Sequence, residues 1–145
     1  MMRLLNKADL PRLLAIEAMS QVTPWSEEIF KRCLDAGCIG WVIEEDEIVA
    51  GFILILMQAG EAHILNLCVS PVSQGKGFGH KLLEDALSII KEQGAGLSYL
   101  EVRRSNTKAI ALYQKMGFIQ IGERKNYYKF LTEREDALVF AKSLT

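Results

Sequence analysis

The stretch "VSQGKGFGHKLLEDALSII", Val72 to Ile90, constrains the fold more than any other part of the chain. Leu82, Leu83, Ala86, Leu87 and Ile90 recur at helical spacing, while Lys81, Glu84, Asp85, Lys91 and Glu92 take the opposite face and Gly94 provides a stop. Ahead of this helix stand Gly75, Gly77 and Gly79, and ahead of them "HILNLCV", an apolar run ended by Ser70 and Pro71 that suits a buried strand. The unit is strand, glycine turn, helix. The N–H groups at a helix start carry partial positive charge, and glycine lets a ligand approach the main chain closely, so the turn predicts a phosphate or pyrophosphate site. Lys76, His80 and Lys81 are expected to add to that field. The spacing excludes two common phosphate loops. A Walker loop would place glycine at Ser70, and the dinucleotide fingerprint counted from Gly75 would need glycine at His80. What remains is Gln74-x-x-Gly77-x-Gly79.

The rest of the composition narrows the class. A chain of 145 residues, half of them hydrophobic and 24% charged, is long enough for a real core and reads as one globular domain over residues 1–145. Its net charge of -1 argues against nucleic-acid binding by bulk electrostatics. Asp9 and Pro11 interrupt the N-terminal segment where a secretory signal needs an unbroken apolar core. The longest apolar run, Ile48 to Met57, is about half of the ~20 residues a membrane-spanning helix requires, so no membrane partner is expected. Cys33, Cys38 and Cys68 are odd in number and lack Cys-x-x-Cys spacing, which predicts neither a disulfide framework nor a metal site and suggests the reducing cytoplasm.

Read as continuous structure, the chain predicts a first helix capped by Asp9. A second follows from Ser26, with Ile29, Phe30, Cys33 and Leu34 as its inner stripe and Gly37 as its stop. "WVIEE" and "IVAGFILILM" then form strands joined by a short hairpin at Asp46-Glu47. After the glycine-turn helix come "LSYLEVR", a helix from about Asn106 to Met116, "GFIQIG" and "EDALVFAK". Adjacent strands mixed with crossover helices point to an α+β domain around one mixed sheet.

Gln74-x-x-Gly77-x-Gly79 between a strand and a helix resembles the acyl-CoA pyrophosphate loop of the GCN5-related N-acetyltransferase (GNAT) superfamily. "LEVRRSNTKAIALYQKMGF" (Leu100 to Phe118), "PWSEEIF", "NYY" and "REDALVFA" are similar to the RimI-type branch, which acetylates the N-terminal alanine of a small-subunit ribosomal protein. The resemblance runs nearly end to end. It implies a splayed mixed sheet flanked by about four helices, with acetyl-CoA as co-substrate in the gap and a protein N-terminus as acceptor. On that basis the Gly75, Lys76, Gly77, Phe78, Gly79 and His80 turn, with Gln74, holds the pyrophosphate, and Leu67, Cys68 and Val69 align the pantetheine. The family's reaction is direct attack of an amine on the thioester. Cys68, inside a buried apolar run, reads as a packing residue rather than a nucleophile.

The resemblance assigns Glu101 as proton acceptor; from the residues alone it reads as a strand-rim carboxylate paired with Arg103 or Arg104. Partial burial is expected to raise its basicity. Tyr113 matches the family's proton donor and also lies on the apolar stripe of Ala109, Ile110 and Met116, so it can be a core ring with a working hydroxyl. Asn106 matches a CoA-contacting position and equally suits a helix N-cap. His63 has no partner at metal or triad spacing and reads as structural. The resemblance places Trp25 and Tyr127 or Tyr128 along a peptide groove. An α-amino group, with pKa near ~7.7 to 8.0, suits one modest base better than lysine near ~10.4, whose deprotonation around neutral pH costs about 4 kcal/mol. Three functions remain open: N-terminal acetylation, acetylation of lysine or a small amine, and a non-catalytic acyl-CoA-binding module.

Overall fold

In the computed structural model, which describes residues 2–130 and 133–145, seven strands form one sheet in the order β1-β2-β3-β4-β5-β7-β6. The elements are β1 (Met2–Leu4), α1 (Leu10–Ser20), α2 (Glu27–Asp35), β2 (Ile39–Glu45), β3 (Ile48–Gln58), β4 (Glu61–Val69), α3 (Phe78–Glu92), β5 (Leu97–Arg103), α4 (Thr107–Lys115), β6 (Ile119–Phe130) and β7 (Glu133–Ser143). All strand pairs are antiparallel except β4 with β5. The mixed α+β sheet with four helices agrees with the sequence reading; β1, only three residues long, is an addition to it.

Both faces of the sheet are covered. Leu82, Leu83, Ala86, Leu87 and Ile90 of α3 pack with Tyr113 of α4 against Ile53, Ile55 and Ile64. On the other face, Leu13 and Ile16 of α1 and Phe30 and Cys33 of α2 pack against Val42, Phe52 and Leu54. Ile29 was expected on the inner stripe of α2 but is 43% exposed, because the buried positions of this short helix are Phe30 and Cys33.

Two local irregularities position the site. The first is a bulge in β4: Ile55 faces Ile64 and Leu54 faces Asn66, so Leu65 is an extra residue. Side chains alternate along a strand, so the extra residue switches faces. Ala62 and Ile64 belong to the α3 side of the core, whereas Cys68 belongs to the α1 side. The second is the separation of β4 from β5. The parallel ladder runs only from Glu61–Leu97 to Ile64–Leu100, and beyond it the two strands have no registered partners across the gap. The Asp46-Glu47 hairpin forms as read, with both residues left-handed at φ 52 and 66, as a type I′ turn requires.

Helix ends account for two corrections. Asp9 precedes α1 without capping it through its side chain; its carboxylate instead accepts from the Asn6 N–H (2.9 Å) and from Arg3 (2.8 and 2.9 Å), closing a capping box on the preceding 3-10 turn. The cysteines were expected unpaired, yet Cys33 and Cys38 form a disulfide, with Cα atoms 5.6 Å apart. α2 ends in a Schellman motif: the Cys38 N–H donates to the Cys33 carbonyl and the Gly37 N–H to that of Leu34. That motif brings the two bonded positions' side chains together, and here both are cysteine.

Candidate active site

The same C-terminal motif sets Tyr113. Phe118 N–H donates to the Tyr113 carbonyl (2.9 Å) and Gly117 N–H to that of Gln114 (3.0 Å), with Gly117 left-handed at φ 94. Side chains at these ends of the motif meet, and the Tyr113 and Phe118 rings lie edge to face at 5.8 Å. Tyr113 is 7% exposed, and burial pushes its hydroxyl well above the ordinary tyrosine range. Among the described residues, nothing hydrogen-bonds that hydroxyl.

Two cavities meet at this ring. The larger, about 530 Å³, is lined by Leu67, Cys68 and Val69, by Gln74, Gly75, Gly77, Phe78, Gly79 and His80, and by one side of α4. The smaller, about 130 Å³, lies where β4 and β5 part, and its walls include Glu17, Trp25, Asn66, Glu101, Arg103 and Tyr128. Both share Gln21, Leu67, Asn106, Ala109 and Tyr113.

The larger cavity is shaped by the glycine turn. Gly75 and Gly77 are both left-handed at φ 82, a backbone that a side chain strains, and Gly77 is the residue from which α3 starts. The first helical bond runs from Lys81 N–H to the Gly77 carbonyl (3.0 Å), leaving the amides of residues 78–80 outside the helix ladder. Gly79 lies inside the helix, and its missing Cβ would make only ordinary contact with Leu112. Gln74 turns back to donate to the Val69 carbonyl (3.0 Å), which the Ser20 hydroxyl also approaches (3.3 Å).

The cationic field expected from the neighbouring side chains is corrected. Lys76 points away from the cavity to Glu45 (2.7 Å), Lys81 pairs with Asp85 (2.8 Å), and His80 lies 3.8 Å from Glu84. Lys76 and a Ser73 hydroxyl bond together hold Glu45 below the usual carboxylate range. Of these three side chains only His80 lines the cavity; an anion there would meet it, the main-chain amides, the α3 dipole and Lys108 of α4, which also lines the wall.

In the smaller cavity, Glu101 sits on β5 with its side chain 18% exposed and accepts from Arg124 of β6 (2.8 Å), not from Arg103 or Arg104. Its second oxygen has no partner among the described residues. Arg103 instead reaches Glu135 (3.4 Å), donates to the Thr23 hydroxyl and lies 4.3 Å over the Tyr128 ring. It thereby ties the α1–α2 linker to the β6–β7 hairpin. Tyr128 is brought to the cavity by a wide bulge in which residues 125–127 stand opposite Asp136, with Asn126 left-handed at φ 53. Burial pushes the Tyr128 hydroxyl up to about 12. Tyr127 does not line the cavity; it is 47% exposed, its ring under Arg124 at 4.4 Å.

Asn106 caps α4 by accepting from Ala109 N–H (3.2 Å) while lining both cavities. His63 stacks on Tyr99, ring centroids 4.5 Å apart, and burial lowers its imidazole from the ordinary value. Burial raises the Cys68 thiol to about 11, which leaves it protonated and a poor nucleophile near neutrality. Among the described residues no group of three or more His, Cys, Asp or Glu side chains is placed to hold a metal, and no helix is long and apolar enough to cross a membrane.

Sequence reasoning missed Glu17. It reads as an ordinary polar position on α1, yet it is 1% exposed and lines the smaller cavity. Its Oε2 accepts from Trp25 N–H (2.9 Å) and its Oε1 from Asn66 Nδ2 (3.0 Å). Its only sequence signal is position, one residue after the buried Ile16 on the inward side of the helix.

The parted sheet and its glycine-turned helix start are those of an acyltransferase: the chain belongs to the GNAT family of acetyltransferases, whose sequence profile matches residues 6–118. Within that family it is 34% identical over 137 residues to the [ribosomal protein bS18]-alanine N-acetyltransferase of Escherichia coli strain K12, covering 94% of this chain and 93% of that one. It is 36% identical over 138 residues to the protein of the same name from Haemophilus influenzae, covering 94% of each. The crystal structure of the Escherichia coli ribosomal-protein-S18-alanine N-acetyltransferase superposes with a TM-score of 0.94 at 32% identity, over 100% of this chain and 94% of that one. The structure of yncA from Salmonella typhimurium, solved with its cofactor acetyl-CoA, shares the fold with a TM-score of 0.82 at 19% identity, over 100% of this chain and 94% of that one.

Proposed function

We propose that this chain transfers the acetyl group of acetyl-CoA to the α-amino group of a protein N-terminus, with ribosomal protein bS18 and its first alanine as the acceptor, and that it works in the cytoplasm where that protein is made. The observation that carries the reading is the Tyr113 hydroxyl, without a hydrogen-bond partner among the described residues, at the junction of the two cavities. It is the donor an acyl transfer needs between a thioester side and an amine side. The names and lengthwise coverage of the relatives supply the acceptor.

In this reading the amides of residues 78–80 and the Gly75–Gly77 turn take the CoA pyrophosphate, and the unpaired edge of β4 from Leu67 to Val69 aligns the pantetheine arm. The thioester then lies beside Tyr113. The acceptor's amine enters the smaller cavity between Glu101 and Tyr128, past Trp25. Glu101, held by Arg124 on one oxygen, takes the amine's proton on the other, directly or through water. The nitrogen lone pair attacks the thioester carbon, forming the C–N bond, and collapse of the tetrahedral intermediate breaks the C–S bond. The leaving thiolate receives a hydrogen bond and then a proton from Tyr113, whose raised pKa keeps it protonated at any working pH, and the second proton shed by the acylated nitrogen restores the phenol. No acyl-enzyme forms, in keeping with a buried, protonated Cys68.

Mass spectrometry of synthetic peptides with varied first residues, incubated with acetyl-CoA, tests the assignment. Acetyl on the α-nitrogen of alanine-first peptides is expected. Modification of internal lysines or free small amines alone would move the chain to another acceptor class, and no transfer to any amine would leave an acyl-CoA-binding module.

A further inference from the structure

The cavity between β4 and β5 holds three charged side chains, and two of them are neutralised within the protein. Glu101 takes Arg124 and Arg103 takes Glu135. The third, Glu17, is the most deeply buried, and among the described residues no lysine, arginine or histidine lies within ion-pair distance of it. Its two bonds come from neutral donors, the Trp25 N–H and the Asn66 amide. A buried carboxylate without a counter-charge is costly, and neutral hydrogen bonds offset only part of that cost. Each oxygen accepts one bond, so each keeps a lone pair for another donor.

The acceptor that enters this cavity under the proposed function arrives mainly as a cation, because an α-amino group is largely protonated near neutral pH. We infer that Glu17 is the counter-charge for the incoming α-ammonium, a binding residue that selects a protonated amine and hands it, correctly placed, to Glu101. The two carboxylates thus divide the work: Glu17, anchored on α1, recognises the cation, and Glu101, on β5, accepts its proton. The bulge at Leu65 makes this possible, because it aims Asn66 at α1 rather than α3.

This inference rests on the N-terminal acceptor reading, and binding rather than turnover tests it. The probes are an alanine-first peptide and its des-amino counterpart, in which a propionyl group replaces the alanyl residue, titrated into the protein with CoA bound. Wild type should bind the amine about 10- to 100-fold more tightly, the range for a hydrogen bond to a buried charge. Glu17→Gln should abolish that preference and bind the des-amino peptide as wild type does. The glutamine can keep both local bonds if Asn66 turns its amide over, so the Trp25 turn stays in place. Glu17→Gln with Asn66→Asp moves the charge to the other end of the same hydrogen bond and should restore the preference. Equal affinity of wild type for the two peptides would overturn the inference without any variant. So would an undiminished preference in a Glu17→Gln protein with normal CoA binding and melting temperature. Absence of acetyl transfer from wild type to the alanine-first peptide would instead strike the functional reading, and it is read in a separate assay.

Discussion

Replacing Tyr113 by phenylalanine separates packing from chemistry at one atom. The ring stays, and with it the edge-to-face contact with Phe118 at 5.8 Å and the apolar seat against α3. The lost hydroxyl bonds nothing among the described residues, so no buried partner is stranded and stability should change by no more than about 0.5 kcal/mol. Catalysis should respond very differently. A preorganised donor aimed at charge that develops during the reaction contributes about 2.7–4 kcal/mol in a site shielded from water, so kcat should fall by about 10²–10³-fold. The affinity for acetyl-CoA should barely move, since the donor acts mainly on the leaving thiolate. Because burial lifts the hydroxyl well above the ordinary tyrosine value, it is protonated across any practical assay range, and the deficit should be the same at each pH from about 6 to 9. The measurement is kcat on an alanine-first peptide at several pH values, beside a CoA titration and a thermal melt. A folded variant with wild-type kcat would return Tyr113 to a packing role and leave the thiolate to water.

Glu101→Gln should show the opposite pH behaviour: a loss of about 10²-fold near neutrality that shrinks as rising pH deprotonates the amine unaided, and a deficit uniform in pH would make Glu101 a positioning group. Gly77→Val forces a β-branched residue to φ 82 although its Cβ meets nothing within 4 Å, so a cost of about 1–3 kcal/mol in melting and a raised KM for acetyl-CoA should appear together. Unchanged cofactor affinity would remove the turn from the binding site. Arg3 and the Asn6 N–H hold Asp9 below the usual carboxylate range, so its contribution is present above the unfolded value near ~3.9 and is lost as pH falls through the folded one. Asp9→Asn should therefore lower the melting temperature at neutral pH and flatten its fall below about pH 4; parallel curves for the two proteins would show that the pair carries no stability.

Local chemistry was legible in the sequence, and pairing geometry was not. The glycine turn, the Ser26 and Asn106 caps and the Asp46-Glu47 hairpin each depend on residues within a few positions of one another, and each forms as read. The bulge at Leu65 is a mismatch between two strands and leaves no mark in either one alone. Glu17 was overlooked because a carboxylate beside an apolar helix stripe reads as solvent-facing until Trp25 and Asn66 are known to close over it. Lys76 was read as part of an anion site, but its partner Glu45 lies thirty-one positions earlier, at the end of β2. The Cys33–Cys38 contact follows from the way α2 ends, a detail of helix termination that cysteine spacing rules do not consider.

The extra residue in β4 also gives the strand something like a reading frame. Downstream of Leu65, each position's side depends on a count that is odd by one relative to β3. Deleting Leu65 would remove the bulge and leave Ile64 and Asn66 as neighbours on opposite faces, so Asn66 and Cys68 would stay on the α1 side and Leu67 on the α3 side. Regular pairing at full length, with Leu65 taken into the alternation, would instead turn Asn66 toward α3 and take its amide from Glu17. A one-residue deletion should therefore be tolerated at the bulge better than elsewhere in the strand, and substitutions at Leu65 itself, half-buried at the crest of the bulge, should be comparatively mild.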